Sequence, residues 1–157
     1  DTFILAEKVC QKNNMSYELS LSVVLRSKLY NSIGMKWYGI PLTILALSWA
    51  RNYSKSAPNH VDNLFHIAYT EIILAESFLN WESANPSTEE KHMNSVRALY
   101  WTSQAITTIQ VHSLDLELEK NLTDFYNQFG ATLGWDKANV LFNDPKFQHL
   151  MNNKGSY

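Results

Sequence analysis

The stretch that decides the fold runs from Asn59 to Ser83, NHVDNLFHIAYTEIILAESFLNWES. Val61, Leu64, Phe65, Ala68, Ile72, Ala75 and Leu79 recur at helical spacing, and Ile67, Leu74 and Phe78 widen the stripe. Such width predicts a helix with more than one neighbour. Glu71 breaks the pattern. Its neighbours three, four and seven places away (Leu64, Ile67, Ala68, Leu74, Ala75, Phe78) are all apolar, so a helix turns this carboxylate into hydrocarbon. There it must be paired, hydrogen-bonded or protonated.

Downstream, Asn85-Pro86-Ser87 marks a turn, with Ser87 and Glu90 at capping-box spacing and Glu89 suited to a helix dipole. The next helix is predicted over 88–112. Val96, Leu99, Tyr100, Ala105, Ile106 and Ile109 alternate in it with Arg97, Ser103, Gln104, Thr107 and Gln110, which predicts side-chain hydrogen bonds along a buried face. A tight turn makes the two helices antiparallel, and their common rise sets Glu71 level with Tyr100, one turn from Arg97 and from Gln104. Arg97 or Tyr100, with Gln104 third, is therefore the expected partner of Glu71. Removing one side of such a link costs roughly 3–5 kcal/mol.

Upstream, a helix over 41–55 is apolar almost all round, led by Leu42, Leu45, Ala46, Trp49 and Tyr53, with Pro41 at its start after a Trp37-Tyr38-Gly39 turn. The helices at 41–55, 59–83 and 88–112 are expected at the centre of the bundle. Before them, 2–12 turns Leu5, Ala6 and Val9 inward, and 16–33, capped by Ser16, turns in Leu21, Val24, Leu25 and Leu29, with Gly34 as left-handed cap. After them, either Ser113 caps a sixth helix to Phe129 or the fifth and sixth helices form one long rod; Gly130 and Gly134 then frame a turn, and a short helix over 135–142 ends at Asp144-Pro145. Residues 146–152 add a turn or two, and 153–157 fray. No stretch alternates as a half-buried strand would. The reading is an all-α bundle of five to seven helices forming one domain over 1–157.

Composition narrows the function. Of 157 residues, 45% are hydrophobic and only 18% charged, which is globular rather than disordered. A net charge of −2 without a Lys/Arg run argues against nucleic acid as a partner. Cys10 is the lone cysteine, so an internal disulfide and a thiolate zinc cluster are excluded. The longest apolar run, Pro41 to Ala50, is half a membrane span. The expectation is a soluble protein, cytoplasmic by preference, of undefined oligomeric state. Because the chain starts at Asp1, a trimmed or longer parent is expected.

Motifs for chemistry are sparse. Glu89 and His92 have Glu-x-x-His spacing, but a di-iron bundle needs two such pairs and two further carboxylates, so helix capping is the better account. Asp62 and His66 stand four apart among Asn63, Tyr69 and Thr70, which reads as a solvated pair rather than a metal site. His60, His112 and His149 lack a partner in sequence. No nucleophile elbow or Gly-rich phosphate loop is present, whereas a triad assembled in space would leave no such trace. The triplets at Asn14, Asn52 and Asn121 fit a glycosylation acceptor, a pattern this common by chance.

Two segments resemble known helical families. HEPN ribonucleases carry an Arg a short way before a His; Arg51 and His60 are the nearest such pair, with eight intervening residues that include Pro58. The spacing departs from the family's. Leu133-Gly134-Trp135-Asp136, followed by Val140 to Phe142, is similar to the Gly-Trp-Asp segment near the end of Bcl-2-like domains, which are all-α and of this size. The Asn-Trp-Gly-Arg segment of that family has no counterpart, because Trp101 stands in Tyr-Trp-Thr-Ser.

Three functions follow in order. The first is a non-enzymatic, regulatory interaction module that binds another protein and needs no cofactor or metal. The second is a small-molecule-binding domain in which Trp49, Tyr53, Phe65, Tyr69 and Trp101 line a pocket, with Glu71, Arg97, Tyr100 and Gln104 reading a polar group. The third is a small helical enzyme, HEPN-like for example, using Glu71 as a buried acid or base.

Overall fold

A computed structural model describes residues 2–80 and 87–152, and helix takes up 87% of it with no strand. Eight helices follow one another: α1 (Thr2–Lys12), α2 (Ser16–Ser32), α3 (Lys36–Ser56), α4 (Val61–Leu79), α5 (Thr88–His112), α6 (Leu116–Leu133), α7 (Trp135–Phe142) and α8 (Pro145–Asn152). The all-α reading holds, with one short helix more than expected. Most of the Asn85-Pro86-Ser87 turn lies outside the described residues. Ser87 does cap α5, its Oγ accepting from the Glu90 amide at 3.1 Å.

Several local boundaries differ for identifiable reasons. α3 starts at Lys36, so Trp37-Tyr38-Gly39 is its first turn and Pro41 lies inside the helix. The missing Pro41 amide leaves only the Trp37 carbonyl without its usual donor, near the exposed helix start. Ser16 does not cap α2; Met15 holds that position, with no side-chain bond. Ser113 is the left-handed C-cap of α5 (φ 50°), and Asp115 caps α6 by accepting from the Leu118 amide at 2.9 Å. Gly130 lies inside α6 beneath the Trp135 ring, leaving Gly134 (φ 92°) to make the corner.

α2, α3 and α4 run alternately up and down. Ser20 bonds to Ala46 and Thr43 to Ser27, so α2 and α3 are antiparallel. Ser20 also meets His66, and Asn31 meets Ser77, which makes α2 and α4 parallel neighbours. The main core gathers Ile40, Ile44 and Leu47 of α3, Leu74 and Phe78 of α4, and Val96 and Trp101 of α5. Phe147 and Met151 of α8 close its end. The expected central trio is the observed one.

The buried face of α1 is not the one periodicity chose, and those of α2 and α4 match it in part: Val24, Leu64, Ile67, Ala68, Leu74, Ala75 and Phe78 are buried as expected, and other positions are not. Leu5 and Val9 are exposed, while Glu7 is buried and accepts from Arg26 Nε and Nη2, one on each carboxylate oxygen, at 2.7 Å. Leu25 and Leu29 are exposed, while Ser20 and Ser27 are buried. Val61, Phe65 and Leu79 are exposed, while Asn63, His66, Thr70 and Ser77 are buried. Small polar side chains bonded across the helix contacts let the backbones approach closely, and that geometry outweighs the burial of larger apolar groups. Gly39 shows how close: a Cβ there would lie 2.9 Å from the Ser27 carbonyl oxygen and 2.1 Å from Asn31 Oδ1. Asn31 can move, but the Ser27 backbone cannot. Gly39→Ala should therefore part α2 from α3 and cost roughly 1–3 kcal/mol in urea unfolding. A stabilised variant would show that the contact is looser than described.

Candidate functional site

Glu71 is 1% exposed, as its place in the apolar stripe requires. Its partners are not those expected. Arg51 Nη2 of α3 donates to Oε1 at 2.9 Å, and Thr108 Oγ1 of α5 donates to Oε2 at 2.8 Å. The carboxylate thus staples three helices. Arg97 instead donates to Asn94 Oδ1 at 3.0 Å and lies over the Phe78 ring, and Tyr100 packs against Trp101, Phe142 and Phe147. Gln104 lines the cleft beside Glu71 without bonding to it.

The register explains the miss. Thr108 is eight residues beyond Tyr100, about 12 Å along a helix. A helical side chain leans toward its own N-terminus, so Glu71 reaches toward the C-terminal half of an antiparallel partner. α4 also ends at Leu79, four residues short of the Ser83 from which the register was counted, and the expected turn at 84–86 lies outside the described residues. Arg51 had a signal in the sequence: it is the one charge set into the apolar 41–53 run, on the helix preceding α4.

Burial raises the Glu71 carboxyl above the ordinary carboxylate range, against the opposing pull of Arg51 and Thr108. The Arg51 side chain is 38% exposed and roofs a cleft of about 260 Å³ with Ser54, Gln104, Thr107, Val111 and His112. The aromatic pocket expected around Glu71 is not assembled. Trp49 packs against the α1–α2 side, Tyr53 faces Tyr17 and His60, and Phe65 and Tyr69 point outward. Trp101, 0% exposed, reaches the site only as the ring under Arg51, 5.9 Å from it.

The other candidates resolve as structural groups. His66 is buried, not solvated with Asp62, and its Nε2 lies 2.7 Å from Ser20 Oγ, which donates to the Ala46 carbonyl at 2.7 Å. This resembles a nucleophile–base pair, but Ser20 is sealed from solvent and its hydroxyl is engaged. His60 caps α4, its Nδ1 accepting from the Asn63 amide at 3.1 Å, so it does not join Arg51 as a HEPN-like pair. The Gly134-Trp135 segment forms the α6–α7 corner, with Trp135 tilted on Tyr126 at 4.9 Å. Among the described residues, no group of three or more His, Cys, Asp or Glu gathers, and no helix is long and apolar enough to cross a membrane.

Burial lowers the His66 imidazole from 6.5 to about 4. The unfolded chain therefore takes up this proton first as pH falls. The stability contributed by neutral His66 is complete above pH 6.5 and is lost progressively toward pH 4. At about 1.4 kcal/mol per unit, the loss is roughly 3 kcal/mol. His66→Gln should flatten the pH dependence of the melting temperature across that window. An unchanged slope would exclude His66 as its source.

A different kind of feature lies at the α2–α3 corner. Trp37 and Tyr38 are 57% and 50% exposed, with ring centroids 4.8 Å apart and Tyr30 packed behind Tyr38. They rim an apolar depression floored by Pro41, Leu42 and Leu45. Leu25 and Leu29 of α2 and its C-cap residue Ile33 are exposed as well. Comparison with protein-family models, curated proteins and solved structures finds no match to this chain.

Proposed function

We propose that this helical domain is a non-enzymatic module that binds another protein through the α2–α3 corner. The observation that carries this reading is the pair Trp37 and Tyr38, half or more exposed above an apolar depression. Leaving a Trp and a Tyr in water wastes burial that the core could have used, and these residue types dominate binding hot spots. The partner is a protein with an apolar face that accepts the two rings. Glu71 fits the reading as a staple, because its oxygens are taken by Arg51 and Thr108.

The test places a photo-crosslinking phenylalanine analogue at position 37, with position 124 on α6 as control, in cells of the source. The expected result is one dominant adduct from position 37 alone, suppressed by excess wild-type protein and not by Trp37→Glu/Tyr38→Glu. That double variant should melt as wild type does, since both rings are exposed. Equal labelling from both positions, or competition by the double variant, would refute the assignment.

A further inference from the structure

Between α4, α5 and α6 lies a cavity of about 240 Å³, walled by Ile72, Ala75, Leu79, Ala98, Leu122 and Phe125. Two features make it a site rather than a packing flaw. First, α6 leans over the gap without filling it. Gly130 is its one buried residue among those described, so Leu122 and Phe125 are held only half-covered or exposed. Second, the wall is built from alanines where a larger residue would close it, at Ala75 and Ala98, both buried.

The lining sets the chemistry. Thr102 is the polar residue inside, and its hydroxyl already donates to the Ala98 carbonyl at 2.9 Å. Glu76 is exposed and stands at the mouth. A space walled this way offers water few of the polar partners it needs. Enclosed apolar cavities of about 150 Å³ stay dry and bind benzene, and this larger one adds an opening beside Glu76. From the volume, the lining and Glu76 at the opening, we infer that this cavity binds a small apolar molecule. It takes a single ring or a short alkyl chain, with any polar or cationic group left outside beside Glu76. Filling it would bury more of Leu122 and Phe125 and fix α6 to α4 and α5.

Fluorobenzene, a neutral single ring followed by its fluorine resonance, is the first probe, followed by its displacement with n-alkylamines of increasing length. Saturable fluorine line broadening and a raised melting temperature are expected. Ala98→Leu and, separately, Ala75→Leu fill the cavity and should weaken probe binding at least tenfold while the circular dichroism spectrum is kept. If neither variant folds, methyl spectra of the wild type decide the question. Probe-induced shifts at Ile72, Leu79 and Leu122 support the site; shifts confined to Leu42 and Leu45 at the α2–α3 corner overturn it. No saturable binding, or binding unchanged in a folded filling variant, also overturns it.

Discussion

Arg51→Met should destabilise the fold by roughly 3–5 kcal/mol at pH 8, and by far less at pH 4.5. The cost of breaking an ion pair depends on which charge is left behind. Glu71 is buried on α4, whereas a good part of the Arg51 side chain already meets solvent. Without Arg51, the carboxylate is stranded, and it escapes only by taking a proton. Burial already holds the Glu71 carboxyl above its unfolded value. For a carboxyl raised in the folded state, stability is fully present below the unfolded value and falls as pH rises through the folded one. Losing Arg51 raises the folded value further, so the penalty grows with pH. Glu71→Gln should behave differently. It removes the buried charge, keeps an acceptor for Thr108, and frees Arg51 to rehydrate, for a change within about 1.5 kcal/mol. Adding Glu71→Gln to Arg51→Met should recover most of the loss. Urea unfolding at the two pH values checks all of this, and an equal cost at both would show that Glu71 charge is not what Arg51 compensates.

Trp101→Ala should cost roughly 3–5 kcal/mol, the usual range for deleting a large ring that the core cannot collapse onto. Trp101 is sealed between α3 and α5, under Arg51 and edge-on to Tyr100 at 5.3 Å. Its indole Nε1 is buried with no hydrogen-bond partner among the described residues. That orphan donor separates two substitutions. Trp101→Phe removes an unsatisfied group along with some ring area, so the two effects offset and the cost should stay near 1 kcal/mol. If Trp101→Phe were as damaging as Trp101→Ala, the indole N–H would have a partner that the fold alone does not supply. Because Arg51 lies over the ring, the Trp101→Ala and Arg51→Met costs should also be non-additive.

The secondary structure was open to reading from composition and periodicity, because helix termini and turns are encoded locally. Ser87 capping α5 and the left-handed Gly34 are both short-range effects, whereas the break between His112 and Leu116 competed with one continuous rod. The burial of Glu71 was also legible, since six apolar neighbours on a helix leave it nowhere else to point. Which face of each helix meets which neighbour was not. Periodicity ranks faces by hydrophobicity, and it placed Leu25, Leu29, Phe65 and Leu79 inside. The tertiary structure reversed this by packing α2, α3 and α4 closely through Gly39, Ser20, Ser27, Thr43, His66 and Ser77. Those side chains are polar alone and satisfied only in pairs, so their burial is a property of the pairing and not of any one helix. The same holds for Arg51 and Thr108 around Glu71. The sequence by itself determined that the chain is helical and that one carboxylate must find partners inside it. Only the packing decided which partners, because long-range hydrogen bonds depend on register and crossing geometry that no local pattern records.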